Sequence, residues 1–370
     1  MTLSAAALLP KYQFTVSHGS AEHWGAAAKI CLDGLGLYRA KGANLGFLYA
    51  TEPFADDLGS ILTFLRETTQ IKTWVGGIVP GLCAQSTEYR ETGAIGIMVG
   101  SLPEGSFRTF TSADLPLTLE DANQTAILHG DPRHPTVFDI CTEMGNTLLH
   151  TVGGLVSGYG PVYQAAGTLA PGAASGLLLG PDIKMIIGLS QGCSPIGPAH
   201  IITKSDRNVL IELDGLNALD VLKAESGDLI ARDLRRAAGY IHVGLLEGEG
   251  YTVRTLIGID PDSGMLAMGA EAHEGERVVF VRRDANTAQT DLTHMLERLK
   301  TDLKDTSPLG ALYYSCTARG VHMFGAEGAE LAQIRDTLDD IPLLGFFANG
   351  EIADGHLYGY TGVLAVLVPT

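Results

Sequence analysis

The chain contains 370 residues, 45% of them hydrophobic, and this apolar content excludes a chain that is disordered throughout. Twenty-five Lys and Arg residues against 42 Asp and Glu give a net charge of −17, which argues against binding to nucleic acid or to anionic membrane surfaces. At roughly 150 residues per domain, the length predicts two domains or two lobes.

A repeat of strand, helix, strand and strand is the strongest pattern in the sequence, and it occurs three times. In each copy an apolar strand precedes a segment with helical periodicity, and two further apolar strands follow. Such units predict an α/β (α+β) fold of two lobes, with mixed sheets and helices packed on them. In chain order the predicted elements are 44–49, 54–68, 74–81 and 94–100, then 125–129, 137–149, 151–158 and 175–180, and finally 309–314, 327–338, 343–350 and 361–368.

A polar break at Thr203–Asn208 ends a segment rich in proline and glycine. A new strand at Val209–Leu213 and a short helix follow it. The break predicts a division into an N-terminal domain over residues 1–208, which contains two repeats, and a C-terminal domain over residues 209–370.

The stretch before the third repeat is less regular. Residues 240–247 and 251–258 are interpreted as a degenerate fourth copy. Apolar runs at 252–259 and 265–269 flank Asp260–Gly264, which has the composition of a turn, so a hairpin is predicted there.

Glycines recur at equivalent places in the repeats, as in the pairs Gly76–Gly77 and Gly153–Gly154 and the single Gly345. A glycine inside a strand marks a bulge or a close approach of another backbone. The second interpretation is that the loops at these strand ends converge on a ligand. The two interpretations are compatible.

Residues Gly188–Gly192 fit the G-x-S-x-G pattern of a hydrolase nucleophile, which requires a helix directly after the serine. Pro195, Gly197 and Pro198 oppose a helix there, so a hydrolase is not predicted. The segment Gln191–Pro198 is instead a rigid loop. Its backbone N–H groups are open to a small anion, or it is a crossover between strands in which Cys193 is a buried apolar residue.

Cys316 is predicted at the end of a strand, with Arg319 in the loop that follows. A guanidinium near the thiol would favour the thiolate, and it would also form a fork for a carboxylate. Glu351, at the end of a neighbouring strand, is a predicted partner of Arg319. The alternative is a structural ion pair beside a packed cysteine.

No metal site and no cofactor are predicted, because the histidines are scattered and no zinc, dinucleotide or phosphate-binding motif is present. The five cysteines are widely spaced, which predicts free thiols in a reducing cytoplasm. Neither a signal peptide nor a transmembrane span is expected from the apolar runs.

Six segments resemble the FIST family, with its N- and C-terminal domains together. The resemblance implies a stand-alone bacterial member that senses a small ligand such as an amino acid and passes a signal to a protein partner. The family usually has glycine at the position of Ala318, so the tight glycine turn of the family is not expected at this position. The segments are 44–77, 152–158, 191–223, 313–320, 341–353 and 357–367, and the family's recurrent positions are Gln191, Gly192, Cys193, Gly197, Cys316, Arg319, Asn349, Gly350, Glu351 and Thr361.

The first hypothesis is therefore a cytoplasmic sensor with a small carboxylate between its lobes. Arg319 would bind the carboxylate, Glu351 or Asn349 an amine or amide, and the loop at Gln191 would add backbone donors. A second hypothesis is an enzyme with Cys316 as nucleophile, and a third is a non-catalytic scaffold that exposes Phe346 and Phe347. The predicted ligand-binding residues are Arg319, Glu351, Asn349, Gly350, Cys316, Gln191, Gly192 and Cys193.

Overall fold

The structure is a computed structural model that describes residues 14–36, 42–118, 121–157, 164–227, 239–248, 250–304 and 306–369. Two short 3-10 helices cover Glu52–Asp57 and Ser112–Asp114. The described α-helices are α1 (Trp24–Leu35), α2 (Leu58–Thr69), α3 (Val137–Thr147), α4 (Ala218–Ser226), α5 (Ala285–Asp302), α6 (Val321–Phe324) and α7 (Ala329–Leu338).

The strands form three six-stranded sheets and one nine-stranded sheet. In chain order they are β1 (Thr15–Ser20), β2 (Leu45–Thr51), β3 (Thr73–Val79), β4 (Gly81–Ala84), β5 (Thr87–Arg90), β6 (Ala94–Gly100), β7 (Phe107–Thr111), β8 (Thr125–Gly130), β9 (His150–Leu155), β10 (Gln164–Ala166), β11 (Thr168–Ala170), β12 (Ala174–Leu179), β13 (Ile183–Ser190), β14 (Cys193–Pro195), β15 (His200–Asp206), β16 (Val209–Leu213), β17 (Leu216–Asn217), β18 (Ile241–Glu247), β19 (Gly250–Arg254), β20 (Leu256–Asp260), β21 (Met265–Met268), β22 (Arg277–Arg283), β23 (Gly310–Cys316), β24 (Leu343–Ala348), β25 (Glu351–Ala353), β26 (His356–Tyr358) and β27 (Gly362–Pro369).

Each of the three predicted repeats is present and has the same topology. The first two strands are parallel and joined across a helix, and the last strand runs antiparallel beside the first. A helical connection is what a parallel pair requires. The predicted α/β fold with mixed sheets and packed helices is therefore confirmed. The three sets are β2, β3 and β6; β8, β9 and β12; and β23, β24 and β27.

The hairpin inside each repeat leaves its own sheet and joins the sheet of another repeat. The hairpin β4–β5 of the first repeat pairs with β24 of the third, and β25–β26 of the third pairs with β9 of the second. The hairpin β10–β11 of the second repeat pairs with β3 of the first. The exchange closes a ring, and the three sheets together form what we call the threefold body.

The recurring strand glycines have a structural cause. Gly153 lies opposite Leu128 of the neighbouring parallel strand, and a Cβ built on it would overlap the Leu128 carbonyl oxygen. Gly76 and Gly345 occupy the equivalent positions and meet the equivalent carbonyl oxygens. These contacts support the interpretation of the glycines as sheet geometry.

The inner faces of the three sheets share one apolar core. Tyr49, His129 and Tyr314 are equivalent residues of the three first strands, and they meet inside this core. The Tyr49 hydroxyl lies 2.9 Å from His129 Nε2 and 3.5 Å from the Tyr314 hydroxyl. Burial lowers the pKa of His129 to about 3, so its ring is neutral. The helices pack on the outer faces of the sheets.

The nine-stranded sheet is built from the chain between β13 and α5, before the third repeat begins, and we call it the inserted sheet. One face packs against α4, while the other carries Cys193, Val253 and Val281 and contacts Tyr360 of the threefold body. The predicted hairpin is present as β20 and β21. Strands β15 and β16, on either side of residue 208, pair within this sheet, and the predicted division at residue 208 stays a prediction.

We expect Gly153→Ala to destabilise the protein by about 3 kcal/mol, because a backbone carbonyl cannot move aside without opening the parallel strand pair. Gly25→Ala in the first turn of α1 is the matched control, since its Cβ would make only ordinary contact with His23. Urea unfolding of both variants measures the difference. Equal free energies of unfolding for the two variants would contradict this explanation of the repeated glycine.

Candidate functional site

The predicted site residues meet where the inserted sheet contacts the threefold body, and we call this region the junction. It contains the end of β13 and the ends of β23 and β24. The loop at Gln191 enters the inserted sheet here, and Glu351 begins β25 beside Cys316. The structure therefore brings together residues that lie far apart in the sequence.

Arg319 is 1% exposed and forms a buried ion pair. Its Nε donates to Glu330 Oε1 at 2.7 Å, and its Nη2 lies 2.6 Å from the same oxygen. The remaining N–H groups donate to the Ser190 carbonyl (3.0 Å), the Ser190 hydroxyl (3.2 Å) and the Tyr360 carbonyl (3.5 Å). A guanidinium has five N–H donors, and all have partners. The structure thus pairs Arg319 with Glu330 and not, as the sequence predicted, with Glu351.

Glu330 receives two further hydrogen bonds, from the Tyr313 hydroxyl at 2.5 Å and from the Ser315 hydroxyl at 3.1 Å. It lies in the first turn of α7, 1% exposed. A buried carboxylate is tolerated when its charge is paired and its oxygens are hydrogen-bonded. Glu330 therefore fixes Arg319, and Arg319 fixes the end of β13 against β23.

The loop after β23 is held from outside by two more arginines. Arg90 of β5 donates to the carbonyls of Thr317 (3.2 Å) and Arg319 (2.5 Å). Arg283 of β22 donates to the carbonyl of Ala318. The loop thus receives contacts from the first repeat and from the inserted sheet. Ala318 does not have a positive φ, so glycine is not required at this position.

Cys316 is buried at the end of β23, and its N–H donates to the Thr361 carbonyl at 2.9 Å. Burial raises the pKa of its thiol to about 12. The nearby Arg319 guanidinium acts in the opposite direction but does not outweigh burial. The thiol is therefore protonated at neutral pH.

Glu351 is fully buried beside Cys316. Its Oε2 accepts a hydrogen bond from the Thr361 N–H at 3.1 Å, while its Oε1 has no partner. Burial raises the pKa of this carboxyl well above its usual range, and the Thr361 N–H, Arg319 and the adjacent Cys316 thiol only partly oppose the rise. Buried polar atoms nearly always have a partner, so the unpaired oxygen is exceptional.

His242 of β18 is a second exception, because it is 2% exposed and neither of its ring nitrogens has a partner. Its ring stacks on Tyr360 with the centroids 4.4 Å apart and the planes at 14°. Burial, together with the Arg283 guanidinium, lowers the pKa of His242 to about 4. The neutral ring therefore offers one donor and one acceptor to a partner that the chain does not supply.

Arg283 lies next to this histidine, with its guanidinium 4.9 Å from the Tyr360 ring centroid. Its Nη2 contacts the Ala318 carbonyl and His322 Nε2, the latter at 3.0 Å. Among the residues that the structure describes, none accepts a hydrogen bond from its Nε or Nη1. Arg283 therefore has the free donors that Arg319 lacks.

The loop at Gln191 is held by α5 and by the inserted sheet. The N–H groups of Gln191 and Gly192 point to Asp291 Oδ2, at 2.6 and 3.5 Å, so these predicted donors already have an acceptor. The Gln191 side chain donates to the Tyr251 carbonyl at 2.7 Å. The Tyr251 hydroxyl donates to the carbonyl of Cys193, whose thiol is buried. A strand follows instead of the helix that a nucleophilic serine needs.

The other predicted residues lie at the end of β24. Asn349 is exposed, and its Oδ1 accepts a hydrogen bond from the Thr317 hydroxyl at 2.7 Å. Gly350 is buried, and its carbonyl accepts a hydrogen bond from the Leu155 N–H. Phe346 and Phe347 are buried in the cores, so the predicted exposed apolar patch is wrong.

A cavity of about 480 Å³ opens beside the junction and is lined by Gln191 but not by Glu351, His242 or Arg283. Its wall combines the end of β13, the hairpin β18–β19 and the hairpin β25–β26. The described part of the chain contains no cluster of His, Cys, Asp and Glu suited to a metal ion, and no described helix is long and apolar enough to span a membrane. The cavity is lined by Leu189, Gln191, Gly248, Gly250, Tyr251, Thr252, His356 and Tyr358.

Sequence reasoning missed Glu330, His242, Tyr360 and Arg283. Glu330 carried no signal, because an acidic residue in the first turn of a helix is ordinary. His242 and Arg283 lie in the inserted sheet, where the repeat pattern stops. Their place at the junction follows only from the strand pairing of the inserted sheet, in which β22 brings Arg283 beside Cys193.

We expect Glu351→Gln to flatten the pH dependence of stability. Above the ordinary carboxyl pKa of 4.5, unfolded Glu351 ionises while the folded protein keeps its proton. The unfolded state then binds fewer protons, so stability falls as pH rises through this window. Urea unfolding at about pH 5 and pH 8 should show a smaller loss for the variant than for the wild type.

The matched control is Glu297→Gln on the exposed side of α5. It should keep the wild-type pH dependence. If Glu351→Gln and Glu297→Gln behave alike, Glu351 is ionised in the folded protein and its inferred protonation is wrong.

We expect Cys316 to react slowly with a thiol reagent such as dithionitrobenzoate at about pH 8, because the thiolate is the reactive form and burial suppresses it. Unfolding in urea should restore fast reaction. Asn349→Cys places a thiol at an exposed neighbouring position and is the control for reagent access. Fast labelling of native Cys316, mapped by peptide mass, would instead favour the cysteine-dependent enzyme.

Two families of known domains match the chain in succession. Residues 44–216 match the FIST N domain and residues 218–354 match the FIST C domain. The chain is 28% identical to the uncharacterized protein Rv0628c of Mycobacterium tuberculosis, over 88% of this chain and 91% of that protein. It is 29% identical to the uncharacterized protein Mb0898c of Mycobacterium bovis, over 82% and 79% of the two chains. The chain belongs to the FIST family, whose domains are generally considered small-ligand sensory domains of signal transduction.

Proposed function

We propose that this protein is a small-molecule sensor whose ligand binds at the junction between the threefold body and the inserted sheet. One observation carries the proposal: three buried polar atoms at this junction, Glu351 Oε1 and both ring nitrogens of His242, have no partner in the protein. Leaving such atoms unpaired costs roughly 1–3 kcal/mol each. A bound ligand would remove this cost by pairing with these atoms, and in its absence bound water would do the same.

The proposed ligand is a small carboxylate such as an amino acid. Arg283 is the better candidate for its carboxylate, because Arg319 has no donor left. One of the free donors of Arg283, at Nε or at Nη1, would bind the carboxylate, and the neutral His242 would add a hydrogen bond. Arg319 would then act on the ligand only by holding the loop that contacts Arg283.

The amine or amide of the ligand would bind the oxygen-rich side of the junction. Glu351 offers an unpaired oxygen that could accept a hydrogen bond from an amine or amide N–H. The amide nitrogen of Asn349, which takes part in no described hydrogen bond, could donate to the carbonyl of a ligand amide. The body of the ligand would occupy the cavity at Gln191 and Tyr251, whose 480 Å³ exceeds the volume of a typical amino acid. A signalling protein partner and a cytoplasmic location belong to the same proposal.

The enzyme hypothesis receives no support from the surroundings of Cys316. A cysteine nucleophile needs a lowered thiol pKa, and burial raises this one. We therefore keep the sensor as the single proposed function.

We expect Arg283→Met to weaken binding of a carboxylate ligand roughly tenfold or more, because a charged hydrogen bond is lost. Calorimetric titration with a panel of amino acids first identifies a ligand of the wild type, and the variant is then titrated with it. Arg277→Met is the matched control, since Arg277 is exposed at the start of the same strand. A ligand that binds Arg283→Met as tightly as the wild type would show that Arg283 is not the carboxylate site.

Native mass spectrometry tests the existence of a retained ligand without knowledge of its identity. A mass excess that disappears on denaturation supports the sensor and identifies the ligand by mass. An excess that survives denaturation and maps to Cys316 contradicts the proposal in favour of covalent chemistry.

A further inference from the structure

A second and larger cavity, of about 650 Å³, lies at the other end of the threefold body, and we call it the basal cavity. It forms where the starts of β8, β9 and β13 meet the end of β27 and the end of α5. Strand β13 starts at the cavity with Ile183 and ends at the junction with Ser190. Seven residues of extended strand separate the two by about 23 Å. The residues that line the cavity are Asn123, Thr125, Leu149, His150, Pro181, Ile183, Lys184, Met185, Ile186, Asp302, Thr306, Val368 and Pro369.

The cavity has an apolar side. Ile183, Met185 and Val368 contribute to it from strands that are otherwise packed in the cores. Leu149 lines it with 59% of its surface exposed, one of the most exposed large apolar residues of the described chain. Such a surface is suited to an aliphatic ligand body, because its burial contributes about 25 cal/mol per Å².

Two opposite charges line the same cavity without partners. Lys184 projects from β13, and Asp302 ends α5. Neither takes part in any described ion pair or side-chain hydrogen bond, and they do not pair with each other. The third charged or titratable side chain, His150, is already engaged through its Nδ1 by Asp354 at 3.1 Å. Among its described lining residues, the cavity therefore offers one free cation and one free anion beside an apolar surface.

We propose that the basal cavity binds a second small molecule, a zwitterion with an aliphatic body. Its carboxylate would pair with Lys184 and its ammonium with Asp302, while its carbon chain covers Leu149 and Met185. A simple anion would meet the repulsion of Asp302 and of a chain with a net charge of −17. A simple cation would meet the repulsion of Lys184. This inference does not depend on the proposed function of the junction.

Methyl NMR of methionine tests the proposal at the right place, because Met185 lines the basal cavity. Its signal is assigned with Met185→Leu among the eight methionines of the chain. The probes are leucine and 6-aminohexanoate as zwitterions, with hexanoate and hexylamine as singly charged analogues. We expect at least one zwitterion to shift the Met185 signal at concentrations roughly tenfold below those that either analogue needs.

Two variants establish the roles of the charges. Lys184→Met and Asp302→Asn should each weaken the effect of the zwitterion roughly tenfold, as expected for the loss of a charged hydrogen bond. Lys72→Met, which removes an exposed lysine before β3, is the control and should leave it unchanged. The proposal is overturned if no zwitterion moves the Met185 signal, if an analogue moves it equally well, or if both variants respond like the wild type. A ligand that binds only at the junction would not change the chemical shift of the Met185 methyl group.

Discussion

No repeat of this protein completes its own sheet. The outer hairpin of each six-stranded sheet comes from another repeat, and the three exchanges close a ring. The inner faces of the sheets can bury their common core only when all three are in position. Two of the three exchanges link residues from the two halves of the chain, as in the pairs Phe347 with Gly81 and Glu351 with Gly154. Both the basal cavity and the junction lie on elements that this exchange holds in place.

The junction adds a second constraint, the buried pair of Arg319 and Glu330. Because burial of charges is costly, such a pair contributes mainly by fixing geometry. Arg319 has all of its donors directed into the protein, and the outer face of the same loop is bound by Arg90 and Arg283. A ligand that draws Arg283 away from the Ala318 carbonyl would therefore act on a loop that also contacts the first repeat. Under the proposed function, this contact would connect ligand binding to a change in the threefold body.

The sequence was sufficient to predict the repeats with their strands and helices, while the site residues stay a prediction. Those features depend on local periodicity, and every repeat presents it independently. The exchange of hairpins between repeats was not predictable. A hairpin that pairs with its own repeat and one that pairs with another repeat have the same pattern of apolar and polar residues. The partner of Arg319 was mistaken for a similar reason. Glu330 follows Arg319 by 11 residues and Glu351 follows it by 32, and the packing of α7 decides which of the two reaches the guanidinium.

The order in which the hairpins are made has a consequence for synthesis on the ribosome. The hairpin β4–β5 is complete before the chain has reached residue 100, but its partner β24 begins at Leu343. The edge of β9 likewise stays unpaired until β25, which lies close to the end of the chain, has been synthesised. Unpaired strand edges of this kind are sites of aggregation. The nascent protein therefore carries open strand edges through most of its translation, until β24 and β25 have been synthesised.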